Sequence, residues 1–387
     1  MMQVLSAQPA SALANICAGM VGLGLIAYAV LGGADFGGGV WDLLARGPRT
    51  EQQRDAIAHA LGPVWEANNV WLIYVIVITW TAFPVVYASV STALFIPILI
   101  ALVGIVLRGA GFGLRSQYAR NAGMAVAWGY IFNGASVIAP FLLGALAGAI
   151  AGGDIRMQNG VVQANLWTTW TTPFALVCGA FAVTICATLA ATYLAVEARM
   201  ANDITLAEDF RARAIIAGAV TAVLGALAAL LAAFESPHLW SGLIGKALPL
   251  SLGAMLIGLA TAYMLITRNY ILARYLVAAE IACILAAWAV AQYPYLIIPD
   301  VTIANAAAPE SVLLAVTLAS IVGALILFPS LWYLFYIFKG PANTTPTRTA
   351  ASLAEEGFRR TFAPDEATQA TAESGGKDAI LRKNESS

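Results

Sequence analysis

Charge is scarce in this chain and histidine is nearly missing. Only 11% of the 387 residues are charged, against about a quarter in soluble domains. The net charge is -1 and no basic stripe exists, which argues against nucleic acid as a partner. The two histidines, His59 and His238, fall in loop regions. Haem sites usually take a histidine from a helix, so this chain is a poor candidate to hold several haems itself. The four cysteines (Cys17, Cys178, Cys186, Cys283) lie inside apolar runs without CxxC spacing, and they read as small buried hydrophobes. No His/Cys/carboxylate group has metal spacing. No nucleophile sits near a base, and the glycine-rich run at 32–39 has neither a GxGxxG nor a Walker pattern.

What is abundant is apolar sequence: 60% of residues are hydrophobic and the mean hydropathy is +0.79. A spanning helix needs about 20 apolar residues. Nine runs qualify, over 13–35, 62–83, 86–111, 122–150, 167–196, 214–234, 247–267, 271–292 and 311–338. Without barrel-type alternation, the expected fold is an all-α polytopic membrane protein of about nine transmembrane helices. The N-terminus lacks a basic n-region, so the first run is expected to remain as a helix.

Basic residues set the expected orientation. Eleven arginines (46, 49, 54, 108, 115, 120, 199, 211, 213, 268, 274) flank the odd-numbered loops, against Arg156 and Lys246 on the other side. The positive-inside rule then places the N-terminus outside and the C-terminus inside. Residues 1–340 read as the membrane domain. Residues 341–387, rich in Thr, Ala, Glu and Pro, read as a largely disordered cytoplasmic tail with one short helix near Ala351–Thr361.

Ionisable residues within spans face a bundle interior or a partner. Asp35 ends the first span, Glu66 opens the second and Arg108 ends the third, so all three are expected at one depth near the cytoplasm. They form either a hydrated proton relay or a structural ion pair at a helix end. The glycines around Asp35 permit close helix approach, and Trp41, Trp65 and Trp71 fit an interfacial belt. Glu280 lies about 14 Å into the eighth span at 1.5 Å per residue, with no basic partner at that depth; it reads as a relay site or as a residue facing another subunit. Asn133 reads as interhelical glue.

Three blocks, "YAVLGGADFGGGVWDLL", "AIAHALGPVWEANNVWLI…AFPVVYA" and "LRGAGFGLRSQ", with a weaker fourth, "AQYPYLIIPDVTIANAAAPESVLL" leading to "WYLFYIFKG", resemble subunit II of cytochrome bd-type quinol oxidases over residues 14–340. The combination GPxWExNxVW, FP and RGxxFxxR carries the specificity. The resemblance implies two four-helix bundles plus one extra helix, in a multi-pass subunit of the bacterial-type inner (cytoplasmic) membrane. It implies a haem-free chain packed on a haem-bearing subunit I, which holds haem b and haem d and takes quinol as substrate. Some members of that family hold a structural quinone in subunit II, and small accessory subunits are compatible with the resemblance. It further implies a cytoplasmic proton route through Asp35, Glu66 and Arg108, with Trp65 and Asn68 as neighbours; Glu280 is a further candidate for the route by its depth alone. Familiar members carry DGFD where this chain has Gly32-Gly33-Ala34-Asp35, Asp at Glu66, and often an acid at Gly113. The competing readings are a secondary transporter, with "GGADFGGG" as a broken helix around its substrate, and a scaffold subunit without a proton role.

Overall fold

The computed structural model describes residues 10–61, 65–117, 122–158 and 160–339, with the side chains at 61, 65–67, 115–117, 122, 125, 331 and 334–339 outside that description. The expected tail, 341–387, lies outside the described residues.

The first span runs from 12 to 43 and is longer than the expected 13–35. It comprises α1 (Ala12–Ala27), a wide π turn at Tyr28–Gly32 and α2 (Gly33–Leu43). Ser11 caps it by accepting from the Ala14 amide at 3.2 Å. A loop helix, α3 (Thr50–Leu61), follows, and then α4 (Trp65–Ala82), α5 (Pro84–Ala93) and α6 (Phe95–Gln117).

Here the expected boundaries, 62–83 and 86–111, need correction. Residues 84–93 do not begin the third span; α5 bends 117° away from α4. Pro84 is the cause, because the ring pushes the preceding residue out of the helical region. Phe83 sits at φ -135, ψ 63.

The chain continues through α7 (Ala122–Gly152), hairpin β1 (Arg156–Gln158) and β2 (Val161–Gln163), and α8 (Pro173–Met200). Next come α9 (Ile204–Glu235), α10 (Pro237–Ile244), α11 (Leu248–Ile266) and α12 (Tyr270–Gln292). Hairpin β3 (Tyr295–Ile297) and β4 (Val301–Thr302), a short α13 (Ile303–Ala306) and α14 (Glu310–Lys339) complete it. Among the described residues, eight helices are long and apolar enough to span a bilayer, and the bent α4–α5 pair makes nine. The helix α14 divides: residues to Ala319 belong to the first compact unit, and Ser320 onward to a second. Within the second, Ser330 Oγ donates to the Ile326 carbonyl at 2.7 Å, beside Pro329.

Packing groups α1–α2, α4, α6 and α7 together, and closes α8, α9, α11 and α12 into a ring. Helices α2 and α7 meet the second group on α8. The most enclosed spans are α7 and α8, whose apolar windows are 56% and 50% buried.

The loops after the first, fifth and seventh spans are tied to one another by ions. Arg49 pairs with Asp209 at 2.7 Å. Glu208 accepts from Arg268 at 2.8 Å and from the Tyr270 hydroxyl at 2.7 Å. At the other end Asp300 accepts from Arg156 Nε and from the Met157 amide, both at 2.9 Å, joining the two hairpins. These bonds hold the Asp300 carboxyl below its ordinary range, although partial burial opposes them.

Candidate functional site

The site is built from a helix irregularity and a stripe of glycines. Wide turns of the π type recur at functional positions. The one at Tyr28–Gly32 precedes Asp35 by less than a turn and contains Leu31, whose carbonyl accepts from another helix. Asn68 of α4 bridges the two: its Nδ2 donates to Asp35 Oδ2 at 2.6 Å and to the Leu31 carbonyl at 3.1 Å. Asp35 is 7% exposed and Asn68 8%.

Arg108 reaches the same place from α6. Gly104 and Gly111, one turn to either side of it, bring α6 onto α7: Cβ atoms there would lie 3.4 Å from Ala139 Cβ and 3.0 Å from Phe132. Arg108 is 3% exposed. Its guanidinium lies 4.7 Å from the Phe36 ring centre and 5.6 Å from that of Phe132, cation–π contacts favoured by desolvation. It faces Asp35, Tyr28 and Cys186 electrostatically. Tyr28 meets Phe36 edge-on, with ring centres 6.3 Å apart.

Glycines admit the neighbouring helices. A Cβ at Gly37 would fall on the Cys186 carbonyl of α8, and one at Gly39 on the Ser136 hydroxyl of α7. Trp41 Nε1 then donates to the Ala187 carbonyl at 2.7 Å, locking α2 to α8.

Two polar atoms in this pocket, Tyr28 Oη and Arg108 Nε, are buried without a hydrogen-bond partner among the described residues. Buried polar atoms rarely stay unsatisfied, and ordered water is their usual partner. The group therefore has the composition of a small polar chamber: one carboxylate, one guanidinium, one phenol and one amide, packed against the rings of Phe36 and Phe132.

Of the residues singled out in the sequence, Asp35, Asn68 and Arg108 come together. Glu66 and Trp65 stand in the first turn of α4, just ahead of Asn68, and their side chains lie outside the described residues. Glu280 is not part of this group. It points from α12 toward α11, where a Cβ at Gly258 would lie 2.6 Å from its Oε1. Sequence reasoning passed over Tyr28 and Asp42. Asp42 is seven residues beyond Asp35 on the regular helix α2, a spacing that returns to nearly one helix face, and Tyr28 lies ahead of Asp35 across the π turn. Asp42 is 1% exposed and pairs with Arg54 of α3 at 3.0 Å. His59 and His238 are both exposed, on α3 and α10.

A fold of eight to nine apolar, membrane-length helices among the described residues, with an acid, an amide and an arginine buried together in its first bundle, defines a multi-pass membrane protein. The family is then fixed by comparison: a family model for cytochrome bd terminal oxidase subunit II matches residues 13–338, and the chain belongs to that family. It is 25% identical over 330 residues to a Bacillus subtilis protein provisionally described as a cytochrome bd menaquinol oxidase subunit II, covering 80% of this chain and 91% of that one. It is 29% identical over 213 residues to subunit 2 of the Escherichia coli cytochrome bd-I ubiquinol oxidase, covering 54% of each. A chain from the structure of the Geobacillus thermodenitrificans bd oxidase superposes with a TM-score of 0.72 at 22% identity, covering 85% of this chain and 99% of that chain; at that identity it speaks for the fold. The chain is thus a multi-pass membrane subunit of a quinol:oxygen oxidoreductase complex, with a subunit I as partner. The family excludes the transporter reading.

Proposed function

We propose that this chain is the haem-free partner in that complex and lines the path by which cytoplasmic protons reach the oxygen-reducing centre of subunit I. The observation that carries the reading is the enclosed group of Asp35, Asn68, Arg108 and Tyr28, with two buried polar atoms that call for water. A proton route needs groups that gain and lose a proton in turn, joined by water. Asp35 supplies such a group, and Glu66, two residues before Asn68 on α4, supplies a second. Arg108 provides the compensating positive charge that makes a buried carboxylate tolerable, and Asn68 fixes its orientation.

The haems, b and d, belong to subunit I in this reading. The histidines of this chain do not fit an axial role, because both lie exposed outside the bundle interiors. When bound in the partner, the haems supply electron transfer from quinol and the reduction of oxygen to water. The residues of this chain hold and pass protons, keep the chamber dry of bulk solvent and seat the two bundles. In this reading the Asp35 end, where the loop arginines gather, faces the cytoplasm across a bacterial-type inner membrane.

The test is quinol-driven oxygen consumption by the assembled complex with Asp35→Asn or Glu66→Gln. Each is expected to lower turnover by about tenfold or more, in line with the removal of a proton-transferring group, and to alter its pH profile while the haem spectrum stays unchanged. Wild-type turnover and pH dependence in both variants would leave the chain as a scaffold only.

A further inference from the structure

Asp42 has no part in the chamber described above, yet among the described residues it is the most enclosed carboxylate in the first bundle, at 1% exposure. It lies on α2, a regular helix from Gly33 to Leu43. Seven residues along such a helix return to within about 20° of the same face and advance about 10 Å. Asp42 and Asp35 therefore sit on one stripe of α2, with Asp42 nearer the end that carries the loop arginines.

Between them on that stripe stand Gly38 and Gly39, both buried. With no side chain at 39, the Ser136 hydroxyl of α7 approaches the helix backbone directly. Ser136 is fully buried, and its Oγ donates to the Phe132 carbonyl at 2.7 Å. Its hydrogen is thus committed along its own helix, and its lone pairs remain as acceptors at a level midway between the two acids.

Arg54 of α3 joins Asp42 to the outside. Its Nε lies 3.0 Å from Asp42 Oδ1, and its side chain is 46% exposed against 2% for Asp42. One partner reaches the aqueous phase and the other is enclosed. Full enclosure of an acid beside a half-exposed arginine is an expensive way to make a surface ion pair, since desolvation opposes it and exposed pairs contribute little.

We propose that Asp42 is the intake carboxylate of the proton route: it takes a proton from water at the Arg54 rim and passes it, through water held at Ser136, to Asp35. Asp42 gains one proton and releases one in each passage, so the carboxylate is regenerated. Arg54 stays charged throughout and positions the carboxylate at the rim; Ser136 positions water. This rests on the reading that the chain lines a proton route.

The experiment follows proton uptake with a soluble pH dye when the fully reduced, purified complex meets oxygen. It compares wild type with Asp42→Asn, Asp42→Glu, Ser136→Ala and Asp35→Asn, each with its haem spectrum and thermal midpoint recorded. Asp42→Asn is expected to slow uptake by about tenfold, Asp42→Glu to restore most of the rate, and Ser136→Ala to slow it severalfold with the thermal midpoint little changed. Should Asp42→Asn fail to assemble, Ser136→Ala decides: wild-type uptake there overturns the proposal. Wild-type uptake in Asp42→Asn beside slow uptake in Asp35→Asn also overturns it and leaves the route through Asp35 standing. Wild-type uptake in both Asp42→Asn and Asp35→Asn overturns the route itself.

Discussion

Asn68 holds the chamber together. Its one amide nitrogen bonds a carboxylate on α2 and a carbonyl in the π turn, so it fastens α4 to the irregular part of the first span. Replacing it with leucine keeps the branched shape and the number of side-chain heavy atoms and removes both bonds. Leaving a buried acceptor without its donor costs about 1–3 kcal/mol, more where it is charged. Asn68→Leu is therefore expected to lower the thermal midpoint of the complex and its oxygen consumption, whereas Asn68→Gln keeps an amide donor and is expected to do less harm on both counts. Equal behaviour of the two variants would show that the amide is not what matters.

The depth of these side chains was legible before the fold, because counting apolar runs and loop arginines places Asp35, Glu66 and Arg108 at one level. Their lateral arrangement was not. Glu280 stands mid-way along α12, but the face of α12 that carries it turns toward Gly258, and a residue count says nothing about azimuth. Tyr28 escaped notice because a tyrosine in an apolar run reads as packing. Only the π turn, which no composition signals, brings its ring against Phe36 and its hydroxyl into the pocket.

Among the elements, α2 bears the tightest constraint. Gly37 and Gly39 let it lie against α8 and α7 with backbone nearly touching backbone or a serine hydroxyl. In lipid, such close approach replaces the hydrophobic drive that is missing between helices. Gly37→Val puts a branched side chain onto the Cys186 carbonyl. Overpacking of this kind costs about 1–3 kcal/mol, and more where backbone must move. The expected outcome is a lower thermal midpoint and less of the chain copurifying with subunit I, measured through a tag on that partner. Gly113, which a Cβ would extend into open space, makes the control: Gly113→Ala is expected to leave both unchanged. The glycine run was visible as a packing signal in the sequence. The bend at Phe83 was less so, because "AFPVVYA" continues an apolar stretch and hydropathy does not register a missing backbone N–H. The α5 segment was accordingly read into the third span.

At the scale of the molecule, the two helix groups share α8, and ion pairs gather the loops after the first, fifth and seventh spans at one end. The alternation of basic and non-basic loops in the sequence anticipated that gathering, since loops on one side of a membrane can meet. What the sequence could not supply was the partner's chemistry, which entered through family membership. In the proposed function the two meet: a chamber at the arginine-rich end of this chain would feed protons to a redox centre in subunit I. Time-resolved electrometry on oriented vesicles tests that most directly, by recording the charge displaced as protons move inward from the arginine-rich side after the reduced complex meets oxygen. With Asp35→Asn, the account predicts that the protonic phase slows by about tenfold while the electronic phase keeps its rate. A protonic phase of unchanged rate and amplitude would contradict it.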